Sequence, residues 1–473
     1  MANSSAVDFQ ITNHNYFLAD VLHRAGGRRH LLPGYQLVII DEAHKFLSAA
    51  RSMYGLELAD DEIPALVQEI HTFTTGKSSD GVNVHRLAKK LDEQNVRLFA
   101  RLIDNIPDSD ADDESERFPA IVDGDVLRHL RSIARIAGDI ETAAADSYVQ
   151  PLYKERKARA LWKLGMLSEQ AAGLRQQGKL IHWLEKRTEG EVKTTALCAT
   201  PKDLDKRLFD DLWGKGIPIV LTSGTLSASG DFARAKQTLG LNYLPLSRVS
   251  DTCMPSPFDY KRNALLYISE TTPFPDSRDK SYITAVADEI ERLVMASHGH
   301  AAVLFTSYNV MGQVHALLKQ RGLPFPLFRL ERSGAHAIER FKQSGNGILL
   351  ASGALWEGID IPGDILSLLV IVKLPFAVPD PIGDYERSLY ADMDTYKAQA
   401  VLPDMLVKLK QGFGRLIRNE TDTGVVAILD SRVREGGPFR ERVLRALPDC
   451  RVTSRVRDVQ KFMVQTKPPA YFD

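Results

Sequence analysis

The stretch Val38-Ile39-Ile40-Asp41-Glu42-Ala43-His44 carries the strongest chemical potential in the chain. Three β-branched apolar residues run directly into two carboxylates and a histidine. Such a run predicts a strand buried on both faces of a parallel sheet. Its acids then fall at the carboxyl end of the strand, where open α/β sheets bind ligands. An aspartate there can hold Mg²⁺ against nucleotide phosphates, and the adjacent glutamate can orient or deprotonate a water.

Three further stretches share that geometry. Ile217-Pro218-Ile219-Val220-Leu221 delivers Thr222-Ser223-Gly224-Thr225, whose hydroxyls and glycine allow close approach to phosphates or a carboxylate; the same composition also makes an ordinary turn. Ile348-Leu349-Leu350 leads to Ser352-Gly353-Ala354-Leu355-Trp356-Glu357-Gly358-Ile359-Asp360. There Gly358 permits a tight backbone, and Asp360 can hold a hydroxyl or a basic partner. Gln411-Gly412-Phe413-Gly414-Arg415-Leu416-Ile417-Arg418 spaces two arginines three apart, hence on one face if helical. Two guanidiniums so placed can straddle a γ-phosphate and stabilise charge in phosphoryl transfer.

The elements that must position these residues follow from periodicity. Residues 1–50 read as α/β: Phe9-Gln10-Ile11-Thr12 as a strand, Asn15 to Arg28 as a helix, then the acidic strand. In 51–180 the spacing of Leu87, Leu91, Leu98 and Leu102, of Val126, Leu130, Ile133, Ala137 and Ile140, and of Leu161, Leu164, Ala171 and Leu174 predicts long antiparallel helices. Strand patterns are scarce there. The acidic run from Asp108 to Glu116 reads as a solvated loop. Residues 181–255 return to α/β, so the helical block interrupts one sheet domain. From 256 to 473 apolar strands alternate with helical stretches, which predicts a second parallel sheet covered on both faces.

Composition bounds the rest. The 473 residues suffice for about three domains. No apolar run approaches the roughly 20 residues of a membrane helix, and no signal peptide opens the sequence. Cys198, Cys253 and Cys450 form no C-x-x-C pair, so a zinc site or disulfide framework is not indicated, and a cytoplasmic location is expected. With 60 basic against 61 acidic residues, any nucleic-acid binding must come from local patches rather than overall charge.

Taken in order, Asp-Glu-Ala-His, Ser-Gly-Thr-Leu, Trp-Glu-Gly-x-Asp and Gln-x-x-Gly-Arg-x-x-Arg resemble motifs II, III, V and VI of superfamily 2 helicases, in the DinG/XPD-like branch. Thr12-Asn13-His14, Ser256-Pro257-Phe258-Asp259-Tyr260, Leu304-Phe305-Thr306-Ser307-Tyr308, Lys373-Leu374-Pro375-Phe376 with Pro379-Asp380-Pro381, and Leu429-Asp430-Ser431-Arg432 are similar to that branch as well. The resemblance implies two RecA-like parallel-sheet domains, the first incomplete, with a helical Arch-like insertion. The segments would be 1–50 and 181–255 for the first domain, 51–180 for the insertion and 256–473 for the second domain. It implies ATP-dependent unwinding of DNA, of the kind associated with repair, on single strands or a forked duplex. Asp41 would hold Mg²⁺, Glu42 would activate water and His44 would relay closure. Gly358, Asp360, Ser223 and Thr225 would sense nucleotide, Gln411, Arg415 and Arg418 would reach the γ-phosphate, and Asn13, Thr306 and Ser307 would contact DNA.

One part of the pattern is missing. No G-x-x-x-x-G-K-[ST] precedes Asp41, and Thr75-Gly76-Lys77-Ser78 has His71 where the first glycine should stand. The iron–sulfur cysteines of many relatives are missing as well, so no such cluster is expected. The sequence therefore reads as the C-terminal part of a DinG-like helicase, inactive alone unless an upstream polypeptide supplies the phosphate-binding loop. The alternative is a non-hydrolysing single-strand-binding remnant or partner subunit.

Overall fold

The computed structural model describes residues 7–73, 83–104, 115–145, 149–189, 192–227, 230–330, 335–353, 361 and 363–472. The chain divides into two compact units. One comprises Met1–Thr222, Lys236–Val249 and Pro379–Ala391; the other comprises Ser223–Ala235, Ser250–Val378 and Asp392–Asp473. No described helix is long and apolar enough to cross a membrane.

In the first unit, β1 (Val38–Ile40), β2 (Leu56–Ala59), β3 (Ser115–Pro119), β4 (Leu180–Glu189), β5 (Val192–Pro201) and β6 (Ile219–Leu221) form two separate sheets. β1 pairs with β6 in parallel register, Ile39 opposite Val220 and Ile40 opposite Leu221. No third strand joins them among the described residues. Ile40 is buried; Phe17, Phe46 and Trp213, also buried in this unit, form an aromatic group with Phe46 5.9 Å from Trp213 between ring centroids. On the other face Ile39 is 54% and Val220 48% exposed. The expectation of a strand buried on both faces fails here, because no further strand or helix covers that side among the described residues. Residues 7–12 are also not a strand: Phe9 and Ile11 are exposed, and nothing there pairs with them in a sheet. Asn13 instead opens the helix His14–Ala25 by accepting the Tyr16 amide at 2.8 Å.

The insertion contains the three expected long helices, Val84–Ile103, Gly124–Ala145 and Lys154–Gly173. Their apolar stripes converge in one core with Leu58, Ile63, Leu66 and Ile70. It is not purely helical, however. β2, β5, β4 and β3 make a four-stranded antiparallel sheet, in which β4 and β5 pair along ten residues each. One face, with Leu184, Leu197 and Ala199, joins the helical core. The other presents Trp183, Ala196 and Cys198, against which Ile382 packs. A boundary at 180/181 thus cuts through a sheet. Strands drawn from three distant stretches show no local period that would tie them together.

The second unit holds β7 (Ala264–Ile268), β8 (Ala301–Phe305), β9 (Leu327–Arg329), β10 (Ile348–Ser352), β11 (Leu368–Ile371), β12 (Gly424–Ile428) and β13 (Arg451–Thr453). They form one wholly parallel sheet in the order β13-β7-β12-β11-β8-β10-β9. Alternate residues enter two cores. Leu266, Leu304, Leu349 and Val426 face one side, and Leu265, Val303, Leu350 and Val425 the other. The five inner strands β7, β8, β10, β11 and β12 are therefore buried throughout, as a sheet sandwiched between helices requires, while the edge strands β9 and β13 carry Arg329 and Arg451. The predicted α/β class with a doubly covered parallel sheet is what this unit shows.

Candidate functional site

Asp41 and Glu42 follow β1 directly, at the carboxyl end of a parallel strand. The register that sets Ile40 opposite Leu221 brings the next residues, Asp41 and Thr222, together. The Thr222 hydroxyl donates to Asp41 Oδ1 at 2.9 Å, and the Glu42 amide donates to the same oxygen at 2.9 Å. These two bonds, the hydroxyl first, hold the Asp41 carboxyl below its usual range, so it is ionised and faces solvent. The turn is closed from both strands: the Thr222 amide donates to Ile40 O and the Ala43 amide to Thr222 O, each at 2.9 Å. His14 Nε2 donates to the Asp41 carbonyl at 2.8 Å. Glu42 adopts φ +49°, a left-handed conformation that costs a non-glycine residue about 1–2 kcal/mol. His44 lies in the following 3₁₀ turn with Nδ1 3.2 Å from Glu42 Oε2. Asp41, Glu42 and His44 thus lie together in one turn.

The donor set fits Mg²⁺. No group of three or more His, Cys, Asp or Glu that could hold a metal occurs among the described residues. A magnesium ion in a nucleotide site takes one or two carboxylates and fills its octahedron with phosphates and water. Asp41, ionised and exposed, suits that role.

Thr222 and His14 stand in the sequence reading only as members of the Thr-Ser-Gly-Thr and Thr-Asn-His stretches and are not singled out there as site residues. Their signal was present: Thr222 occupies the first position after a strand parallel to β1, and His14 completes Thr-Asn-His.

In the second unit, the helix Leu402–Phe413 carries Gln411 in its last turn. Gln411 Nε2 donates to Thr225 Oγ1 at 3.1 Å, and Lys410 Nζ donates to Ser227 O at 3.3 Å. Arg234 makes a paired ion contact with Asp404 at 2.8 Å. Three contacts therefore tie the Ser-Gly-Thr segment to this helix, and Ser223–Ala235 belongs to the second unit rather than to the first domain. Ser223 Oγ accepts the Thr225 amide at 3.1 Å, which holds the two residues in one turn.

The helical condition for Arg415 and Arg418 is not met. The helix ends at Phe413; Arg415 sits in the turn that follows and Arg418 beyond it. Arg418 Nε donates to the Arg415 carbonyl at 3.1 Å, its amide is held by Asp422 at 2.9 Å, and burial lowers its pKa. Both guanidiniums are half-buried. The acidic cluster and these arginines lie in different units.

Thr306 and Ser307 follow β8, and Ser307 Oγ accepts the Val310 amide at 3.4 Å as the cap of the helix Tyr308–Arg321. Gly358 and Asp360 lie outside the described residues, as do Thr75-Gly76-Lys77-Ser78 and most of the acidic run.

Comparison with known proteins accords with this arrangement. The family described as "Helicase C-terminal domain" matches residues 290–450. The ATP-dependent DNA helicase YoaA of Escherichia coli strain K12 is 27% identical over 468 residues, covering 96% of this chain and 68% of that protein. The 3'-5' exonuclease DinG of Bacillus subtilis strain 168 is 26% identical, covering 94% of this chain and 52% of that protein. Among solved structures, Xpd4 of S. tokodaii superposes with a TM-score of 0.57 at 16% identity, over 93% of this chain and 81% of that one. Over nearly its whole length the chain is thus similar to proteins named as ATP-dependent DNA helicases of the YoaA and DinG kind, and its fold is like that of Xpd4.

Proposed function

We propose that this chain is the larger part of an ATP-driven motor that moves on single-stranded DNA and opens duplex. The observation that carries the reading is the Asp41 turn: an ionised carboxylate, oriented by Thr222 and the Glu42 amide, at the carboxyl end of a parallel strand. In this reading Asp41 would hold Mg²⁺, which would supply positive charge against the nucleotide phosphates. Glu42 orients the attacking water, and its contact with His44 links it to the turn beyond. Arg415 and Arg418 stabilise the charge of the transferred group, and Gln411 passes the state of that site to Thr225. Gly358 and Asp360 contribute from the stretch that follows β10 in sequence. Asn13, Thr306 and Ser307 lie along the DNA, and the insertion serves as the Arch.

Residues 1–473 contain no G-x-x-x-x-G-K-[ST] ahead of Asp41. In the motor reading the amides and lysine that cradle phosphates would be supplied in addition to these residues. The half-exposed Ile39 and Val220 support this, because a parallel pair with one bare apolar face suits the addition of further strand and helix. A non-hydrolysing single-strand-binding subunit is the second reading, favoured by the same missing loop.

The test is ATP turnover by the purified 473-residue chain, with and without oligonucleotide. Negligible turnover together with strand binding that weakens at high salt agrees with the proposal. Brisk turnover that disappears in Glu42→Gln would show that the phosphate site is complete without any added segment.

A further inference from the structure

The helix Lys154–Gly173 buries Ala160, Leu164, Leu167 and Ala171 in the core of the insertion. Its outer side is unusual in two independent respects. Trp162 is 66% exposed and Leu152, in the turn that leads into the helix, 79% exposed, whereas the described tryptophans Trp183 and Trp213 are both buried. The same stretch concentrates positive charge: Lys154, Arg156, Lys157, Arg159 and Lys163 against Glu155 alone, in a chain whose net charge is −1. Arg156 and Arg159 are exposed and three apart, and Trp162 follows three further on, so the three side chains are neighbours along one helical strip. Helix stability does not account for this arrangement, since cations in a first turn oppose the helix dipole.

We infer that the strip Arg156–Arg159–Trp162 is a contact surface for single-stranded nucleic acid, with the arginines on successive phosphates and the indole stacked on a base. This rests on the motor reading above and names a contact that it leaves unspecified. Charge complementarity selects a polyanion, and the exposed indole selects one that carries aromatic rings. An anionic membrane fits poorly, because the apolar face of this helix is already committed to the protein core and cannot enter lipid. An acidic protein would satisfy the arginines and leave the indole without a ring to stack on.

The experiment uses the whole chain, a fluorescein-labelled oligothymidylate and two readouts, anisotropy and intrinsic tryptophan emission. Binding should quench part of the emission. Trp162→Ala should remove that quenching and weaken binding about tenfold. Arg156→Glu with Arg159→Glu should weaken binding further and reduce the slope of log affinity against log salt by about 1.4, the value for two phosphates on a single strand. Both variants change exposed side chains, and unchanged melting curves verify their fold. If the wild type binds and both variants bind as it does, the strip is not the contact and the motor reading stands. Absence of any wild-type binding at low salt would defeat both. Equal displacement of the oligonucleotide by polyglutamate or by phosphatidylserine vesicles would make the strip a general anion surface and overturn the assignment.

Discussion

Thr222 shows how one hydroxyl can set the state of a carboxylate 181 positions away. The bond needs no buried charge, because Asp41 stays in solvent and only its orientation and ionisation are fixed. Histidines behave in the opposite way. His182, whose Nε2 reaches Leu174 O at 2.8 Å, and His300, stacked on Tyr471 with ring centroids 3.8 Å apart, are both pushed below the ordinary value of 6.5 by burial. For such a group the folded state holds the neutral form, and the unfolded chain takes up the proton first as pH falls. Stability is therefore expected to fall as pH drops below about 6.5, by up to about 1.4 kcal/mol per pH unit for each histidine. Urea unfolding at a series of pH values measures this slope. His300→Asn should be less stable at neutral pH, since it loses the stack, yet lose less on acidification; an unchanged slope would remove His300 as a source.

At the scale of elements, helices were the most legible. The spacings of Leu87 to Leu102, Val126 to Ile140 and Leu161 to Leu174 each marked a real helix, because one apolar stripe at helical period records its own burial. Apolar runs were less informative. Val38-Ile39-Ile40 and Leu368-Leu369-Val370-Ile371 look alike in sequence, yet the second is buried throughout and the first exposes Ile39. A strand's own residues do not report whether its neighbours are present. Ile39→Lys and Val220→Lys are accordingly expected to change unfolding free energy by no more than about 0.5 kcal/mol, while lowering self-association in light scattering. Ile40→Ala, on the covered face, should cost about 2–5 kcal/mol. Equal losses for Ile39→Lys and Ile40→Ala in urea unfolding would mean that the outer face is covered in solution. The arginines of the Gln-x-x-Gly-Arg-x-x-Arg stretch teach a related lesson. Their spacing suits a helix, but Gly412 and Gly414 bracket its end, and the helix stops at Phe413 with Gly414 as its cap.

At the scale of the whole molecule, the chain leaves and re-enters each unit several times, so each unit is assembled from distant stretches. The first has its core among the insertion helices, and the second has a core on each face of its sheet. Separate cores predict separate cooperativity. Calorimetry of the full chain should show more than one transition, and a single transition with equal calorimetric and van't Hoff enthalpies would contradict that division.

The amino-acid sequence alone determined the fold class and pointed to the candidate chemistry. The order Asp41-Glu42-Ala43-His44, Ser223-Gly224-Thr225 and Gln411 to Arg418, with alternating apolar strands, sufficed because each motif needs only its own local residue types and spacing. Tertiary structure decided which partners those residues meet: Thr222 on Asp41, Thr225 on Gln411, and β2 and β3 beside β4 and β5. Such pairings join positions far apart in the chain. They depend on register and on which surfaces close over one another, and neither leaves a periodic trace in the residues themselves.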